Sequence, residues 1–252
     1  MMVPMLSFRL LGIPVTIHPS FLIIAGLLGL SSGRLDLLFA WVGIVFFSIL
    51  IHELGHALTA RVFGAEVEIE LNAIGGLTSW STPDGELGPG RRAIVAAAGS
   101  AVGVVFGGVV WLVSSIAGPY DDIAGFVVSN LIRVNLFWGL LNWAPIRPLD
   151  GGHLLTSLLE KTAPKNGEKI GNVVFMVTAL GALAAAIWLE RIFVAVLAGW
   201  LVMGELSRGR ARRPPPTSLP EMSFDPLPTE EEEPAPSAEA ETETETRPEQ
   251  GH

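Results

Sequence analysis

Ser48-Ile49-Leu50-Ile51-His52-Glu53-Leu54-Gly55-His56-Ala57-Leu58 sits inside a predominantly apolar run over residues 37–63. That run exceeds the roughly 20 residues a helix needs to cross a bilayer, so it predicts a membrane-spanning helix with polar groups inside it. Residues four apart on a helix share a face, and His52 and His56 therefore aim two imidazoles at one metal ion such as zinc. Glu53 lies one step round the helix, placed to take a proton from a water at the metal without being a ligand itself. Two histidines and a carboxylate at membrane depth are costly unless something binds or pairs them. An intramembrane metal site is the economical reading; the plainer one is a helix-end polar cluster bonded to itself.

Composition agrees with a membrane setting. Half of the 252 residues are hydrophobic and the mean hydropathy is +0.49, far more apolar than a soluble domain needs. Cysteine is absent, so disulfides are excluded and any zinc must be held by His, Asp or Glu. Most of the formal charge of -9 lies in residues 207–252, a Pro-, Glu- and Thr-rich stretch that cannot bury enough apolar surface to order itself. The division expected is a transmembrane domain over 1–206, carrying the candidate metal site, and a disordered cytoplasmic tail over 207–252. No basic surface suggests nucleic acid. Residues 1–18 hold one arginine and no small-residue cleavage site, which predicts that the first hydrophobic segment is retained.

Six apolar segments follow: one from Pro19 to about Leu30 or Gly33, then 37–63, 93–117, 123–144, 170–189 and 192–206. The first and last are short for a span. If the N-terminus is cytoplasmic, Lys and Arg concentrate on the cytoplasmic side, leaving only Arg34 and Arg191 opposite. This bias predicts both termini and the His52–His56 end of the second span on the cytoplasmic side. The fold class expected is an all-α polytopic membrane protein with about six transmembrane helices and a re-entrant β-hairpin after the second.

The hairpin is read from Val67-Glu68-Ile69-Glu70-Leu71-Asn72, which alternates apolar and polar before Gly75-Gly76 turns the chain into Leu77-Thr78-Ser79-Trp80. Dipping to membrane depth is tolerated only where backbone is buried or lines a wet cavity. A free strand edge there holds an extended peptide through main-chain hydrogen bonds. An amphipathic hairpin lying on the bilayer fits the same pattern. Residues 8–17, broken by Gly12 and Pro14, suit a strand or interfacial segment.

The fourth run ends in Asn142-Trp143-Ala144-Pro145-Ile146-Arg147-Pro148-Leu149-Asp150-Gly151-Gly152-His153. Pro145 and Pro148 break the helix, and Gly151-Gly152 is expected to turn the chain tightly after Asp150. Asp150 is the candidate third ligand, completing two histidines, a carboxylate and a water around a four-coordinate catalytic zinc; helix capping is its plainer role. Asn135 and Asn142, seven apart, share a face and are candidates for holding substrate backbone or an oxyanion, or for interhelical hydrogen bonds. Arg133 in the same run either snorkels or pairs with a carboxylate. His18 and His153 lack ligand-spaced partners.

Taken together, His52-Glu53-Leu54-Gly55-His56 in an apolar helix and Asn142-x-x-Pro145-x-x-Pro148-Leu149-Asp150-Gly151-Gly152 ninety residues later resemble the site-2 protease family of intramembrane zinc metalloproteases. The resemblance covers about residues 8 to 160. It implies one zinc on His52, His56 and Asp150 with Glu53 as base, and makes the Gly75-Gly76 hairpin similar to that family's re-entrant substrate-holding loop. Ser100 stands where members often have Pro, and so does Arg147; neither is a proposed ligand, so each is expected to affect local packing only. With no room for a PDZ or CBS domain, the chain resembles the minimal six-span branch. The implied function is zinc-dependent cleavage within or near the transmembrane helix of a membrane-protein substrate, in a prokaryotic plasma membrane. The alternatives are a membrane zinc peptidase acting on soluble proteins and a non-catalytic relative that binds helices or metal.

Overall fold

The structure, a computed structural model, describes residues 6–30, 33–83, 85–190 and 192–210. The expected tail from 211 onward lies outside the described residues. A small sheet precedes and interrupts a helical bundle: β1 (Leu6–Leu10), β2 (Ile13–Ile17), α1 (Pro19–Gly29), α2 (Leu35–Val62), β3 (Glu66–Asn72), β4 (Gly75–Ser81), α3 (Pro89–Ala117), α4 (Asp122–Asn142), α5 (Asp150–Thr162), α6 (Gly167–Trp188) and α7 (Ile192–Arg210). Helices α2, α3, α4 and α6 are long and apolar enough to cross a membrane. Eleven residues make α1 too short to do so alone, at about 1.5 Å per residue. Helix α7 runs to Arg210, past the boundary at 207 expected from composition.

Residues 8–17, expected as one strand or interfacial segment, fall into a two-stranded hairpin. Leu11 and Gly12 both have positive φ (52° and 80°), the conformation of the two-residue turns whose twist matches paired strands. Arg61 Nη1 donates to the Leu11 carbonyl at 2.6 Å and ties this turn to α2.

The second hairpin forms as the alternation predicts, but its turn is Ala73-Ile74 rather than Gly75-Gly76, which are the first two residues of β4; the end of α2 aims it. Gly64 takes φ 86°, its N–H bonds the Arg61 carbonyl and that of Ala65 the Ala60 carbonyl, the paired bonds of a left-handed helix stop. The chain reverses there, so β3 and β4 run back along the helix that has just ended. Strand β2 pairs with β3 in parallel and β3 with β4 antiparallel, giving the order β1-β2-β3-β4 with β4 at an edge. Ile13, Val15, Ile17, Ile69 and Leu71 on the inner face pack with Phe21 of α1 and Leu50 and Ala57 of α2. Burying these side chains, each worth about 1.5–3 kcal/mol when large, fixes the sheet against the two helices.

Small residues bring the long helices close. A Cβ at Gly55 would lie 2.8 Å from the Ala98 carbonyl oxygen, and one at Gly139 would lie 3.1 Å from that of Ser100. Helix α3 is thus wedged tightly between α2 and α4, as small-residue faces allow where no apolar driving force separates helix from lipid.

Candidate metal centre

On α2 the four-residue spacing puts His52 and His56 on one face, their Nε2 atoms 3.2 Å apart and both buried. Asp150, the first residue of α5, is carried back to them by the loop after α4: its Oδ2 is 3.2 Å from His52 Nε2 and 3.3 Å from His56 Nε2. The expected tight turn at Gly151-Gly152 is instead the first turn of α5. The glycines matter there through closeness, since a Cβ at Gly151 would collide with the Trp143 and Ala144 carbonyls, and one at Gly152 would stand 2.9 Å from that of Ile146. Asp150 does not cap the helix; Leu149 holds the cap position.

Lone pairs converge at this point. His56 Nδ1 lies 2.7 Å from the Val95 carbonyl and must donate to it, leaving Nε2 as an acceptor facing His52 and Asp150. Ser100 Oγ donates to Asp150 Oδ2 at 2.9 Å. With His52 in the same tautomer, three acceptors face one another, an arrangement that a cation satisfies. Tetrahedral ligands about 2.1 Å from zinc stand roughly 3.4 Å apart, close to the separations seen here. The donor set, two imidazoles and one carboxylate, suits zinc as well as the spacing does. Among the described residues these three form the one group of His, Asp or Glu side chains positioned to hold a metal ion.

Glu53 is buried beside the histidines and fixed from the sheet. Thr78 Oγ1 of β4 donates to Glu53 Oε2 at 2.7 Å. Gly76, in register with Leu71, leaves space that the Glu53 side chain fills; a Cβ there would collide with it. Likewise a Cβ at Gly99 would strike the His56 ring. Thr78, Gly99 and Ser100 were not singled out by spacing or motif as parts of the site. Ser100 is a correction to the expectation drawn from its sequence position, because it bonds the carboxylate directly rather than affecting packing alone.

A cavity of about 390 Å³ opens from His52 between α1, α2 and α4, closed at one end by the β3–β4 turn at Asn72, Ala73, Ile74 and Gly75. Asn135 and Gly75 line it, whereas Asn142 is buried at the end of α4 and is not among its lining residues. Asn135 Nδ2 donates to Ser48 Oγ at 2.8 Å, an interhelical bond of the plainer kind. His18 is buried near Glu70 and His153 is exposed, both apart from the cluster.

Residues 121–182 match the model of Peptidase family M50. The chain is 33% identical over 161 residues to zinc metalloprotease MJ0392 of Methanocaldococcus jannaschii, covering 61% of this chain and 45% of that protein. It is 36% identical over 165 residues to sll0528 of Synechocystis sp., covering 60% and 42%. It thus spans less than half the length of the curated relatives it matches. The fold is shared with the site-2 protease from Methanocaldococcus jannaschii, at a TM-score of 0.58 and 24% identity over 82% of this chain and 97% of that one. Family match, relatives and fold agree in their direction: over part of its length the chain is similar to zinc metalloproteases and to peptidase family M50, and its fold is that of a site-2 protease.

Proposed function

We propose that the chain is a zinc-dependent endopeptidase that hydrolyses a peptide bond within or near the transmembrane helix of a membrane-protein substrate. The observation that carries this reading is the convergence of His52 Nε2, His56 Nε2 and Asp150 Oδ2 beside a buried Glu53, deep in a bundle of apolar helices. Zinc, when bound by His52, His56 and Asp150, supplies Lewis acidity that acidifies a water and polarises a carbonyl. Glu53 accepts the proton of that water and returns it to the leaving amine, and Thr78 holds its carboxylate in line for both transfers. Val95 and Ser100 hold His56 and Asp150 in their ligating orientations.

The cavity beside His52 is where an unwound stretch of substrate lies. A helical substrate hides its carbonyls in its own hydrogen bonds, and the hairpin at Gly75-Gly76 offers β4, an edge strand, as a replacement partner. In this reading β3 and β4 re-enter the membrane, and α1 and α7 join the four long helices to make six spans. The Lys and Arg bias puts both ends on the cytoplasmic side of a prokaryotic plasma membrane.

The test compares membrane-protein fragments in cells expressing wild type or Glu53→Gln, followed by cleavage of a recovered substrate by the purified chain. Fragments that vanish with Glu53→Gln support the reading. Full cleavage by purified Glu53→Gln overturns the mechanism. Zinc content unaffected by Asp150→Ala overturns the ligand set and favours a zinc peptidase acting on soluble proteins.

A further inference from the structure

Resting on that proteolytic reading, we infer that Arg133 is a specificity-determining residue that selects substrates carrying an acidic side chain in the segment bound next to the metal site. Asn130, Arg133, Val134, Phe137 and Trp138 recur at helical spacing, and all of them line the cavity that begins at His52. Arg133 thus sits on the cavity face of α4. It is the one Lys, Arg, Asp or Glu among the lining residues, in a wall otherwise built from Phe21, Ile24, Leu28, Trp41 and similar apolar groups.

A guanidinium in a membrane span is expensive unless an anion meets it, and membrane proteins keep such a group where a pathway or binding partner requires it. Among the described residues Arg133 makes no ion pair and no side-chain hydrogen bond. Three arginines at helix ends and loops are ion-paired: Arg34 with Asp36 and Asp122, Arg92 with Glu86 and Glu160, and Arg147 with Glu205. No carboxylate lines the cavity to serve it.

Lipid phosphate is the other anion available to a membrane arginine, and depth argues against it. Arg133 is the twelfth of the 21 residues of α4. At about 1.5 Å per residue it lies roughly 16 Å from one helix end and 14 Å from the other, near the middle of a hydrocarbon core about 30 Å thick. Either headgroup layer is farther away than the side chain is long. An occupant of the cavity brings its own anion to this depth, and for a peptide that is a protonatable Asp or Glu held beside the guanidinium. The match also acts as negative selection: a lysine at the same substrate position meets a like charge.

The experiment uses the full chain, zinc-loaded, in nanodiscs of phosphatidylcholine with and without phosphatidylglycerol. Synthetic transmembrane peptides carry a single Glu, Gln or Lys scanned through the positions flanking the cleaved bond. Both kcat/KM and, with Glu53→Gln, equilibrium binding by peptide fluorescence are read. Wild type favours the Glu peptide over the Gln peptide by about tenfold or more at one or two adjacent positions, as a desolvated charge pair requires. Arg133→Gln brings the ratio of Glu to Gln peptide to about one, in kcat/KM and in binding alike, and Arg133→Glu turns the preference to Lys. Equal preference in wild type and Arg133→Gln overturns the inference. So does an effect of Arg133→Gln that is uniform across peptides and depends on phosphatidylglycerol, which would make the residue a lipid anchor. If no peptide is cleaved but the Glu preference in binding persists and is lost in Arg133→Gln, the proteolytic reading fails and the role of Arg133 stands.

Discussion

Thr78 and Glu53 are joined by a hydrogen bond of 2.7 Å between Oγ1 and Oε2, so the edge strand of the sheet holds the carboxylate of the helix that carries His52 and His56. The same hydroxyl lies 3.2 Å from the Glu53 backbone carbonyl. Strand β4 therefore has two tasks within three residues: Gly76 makes room for the Glu53 side chain and Thr78 orients its carboxylate. Thr78→Val, which keeps the shape and removes the donor, is expected to lower kcat about 10- to 100-fold, the usual effect of losing a group that orients an active-site residue. Zinc content should stay at the wild-type level and Thr78→Ser should recover most of the rate. Metal analysis alongside steady-state cleavage checks this.

Gly99→Ala places a methyl group into the His56 ring from α3. Zinc binding should fall sharply, because the imidazole cannot move without leaving its bond to Val95. Gly103→Ala on the same helix, where the new Cβ meets nothing closer than 3.9 Å, should keep full zinc. Purified variants compared by zinc stoichiometry and circular dichroism separate loss of metal from loss of fold.

Asp150→Ala removes a proposed ligand, and Ser100→Ala removes only the hydroxyl that holds it. The first should reduce zinc to well below one ion per chain. The second should weaken zinc binding by about 10-fold, within the range found for groups that orient metal ligands. Competition with a chelator of known affinity measures both.

Arg147 lies in the loop just before Asp150 and ties that loop to two helices, α6 and α7. Its guanidinium bonds Glu205 of α7 at 3.2 Å and Asn172 of α6 at 3.1 Å, and stacks 4.1 Å from the centre of the Phe175 ring. The Glu205 side chain is only 3% exposed, so Arg147→Met strips a cation from a buried carboxylate at a cost of about 3 kcal/mol. The melting temperature should fall by several degrees. Combining Arg147→Met with Glu205→Gln should restore part of the loss, since no buried charge is then left short of its partner; thermal unfolding in detergent reads both.

The amino-acid sequence by itself determined the local features of this protein. The spacing of His52 and His56 follows from the helical repeat, the hairpin of β3 and β4 from alternation, and the long spans from apolar length; each depends on residues close in the chain. Asp150 was legible as a candidate third ligand through its motif, and the structure puts it beside His52 and His56. The tertiary structure alone decided what brings distant segments together. Parallel pairing of β2 with β3 joins residues more than fifty apart, and nothing in either strand encodes the partner. Thr78, Gly99 and Ser100 became parts of the site because a helix stop at Gly64 and close packing of small residues carried them there. A hydroxyl or a missing side chain has no spacing signature, so its role exists only once the backbone around it is placed.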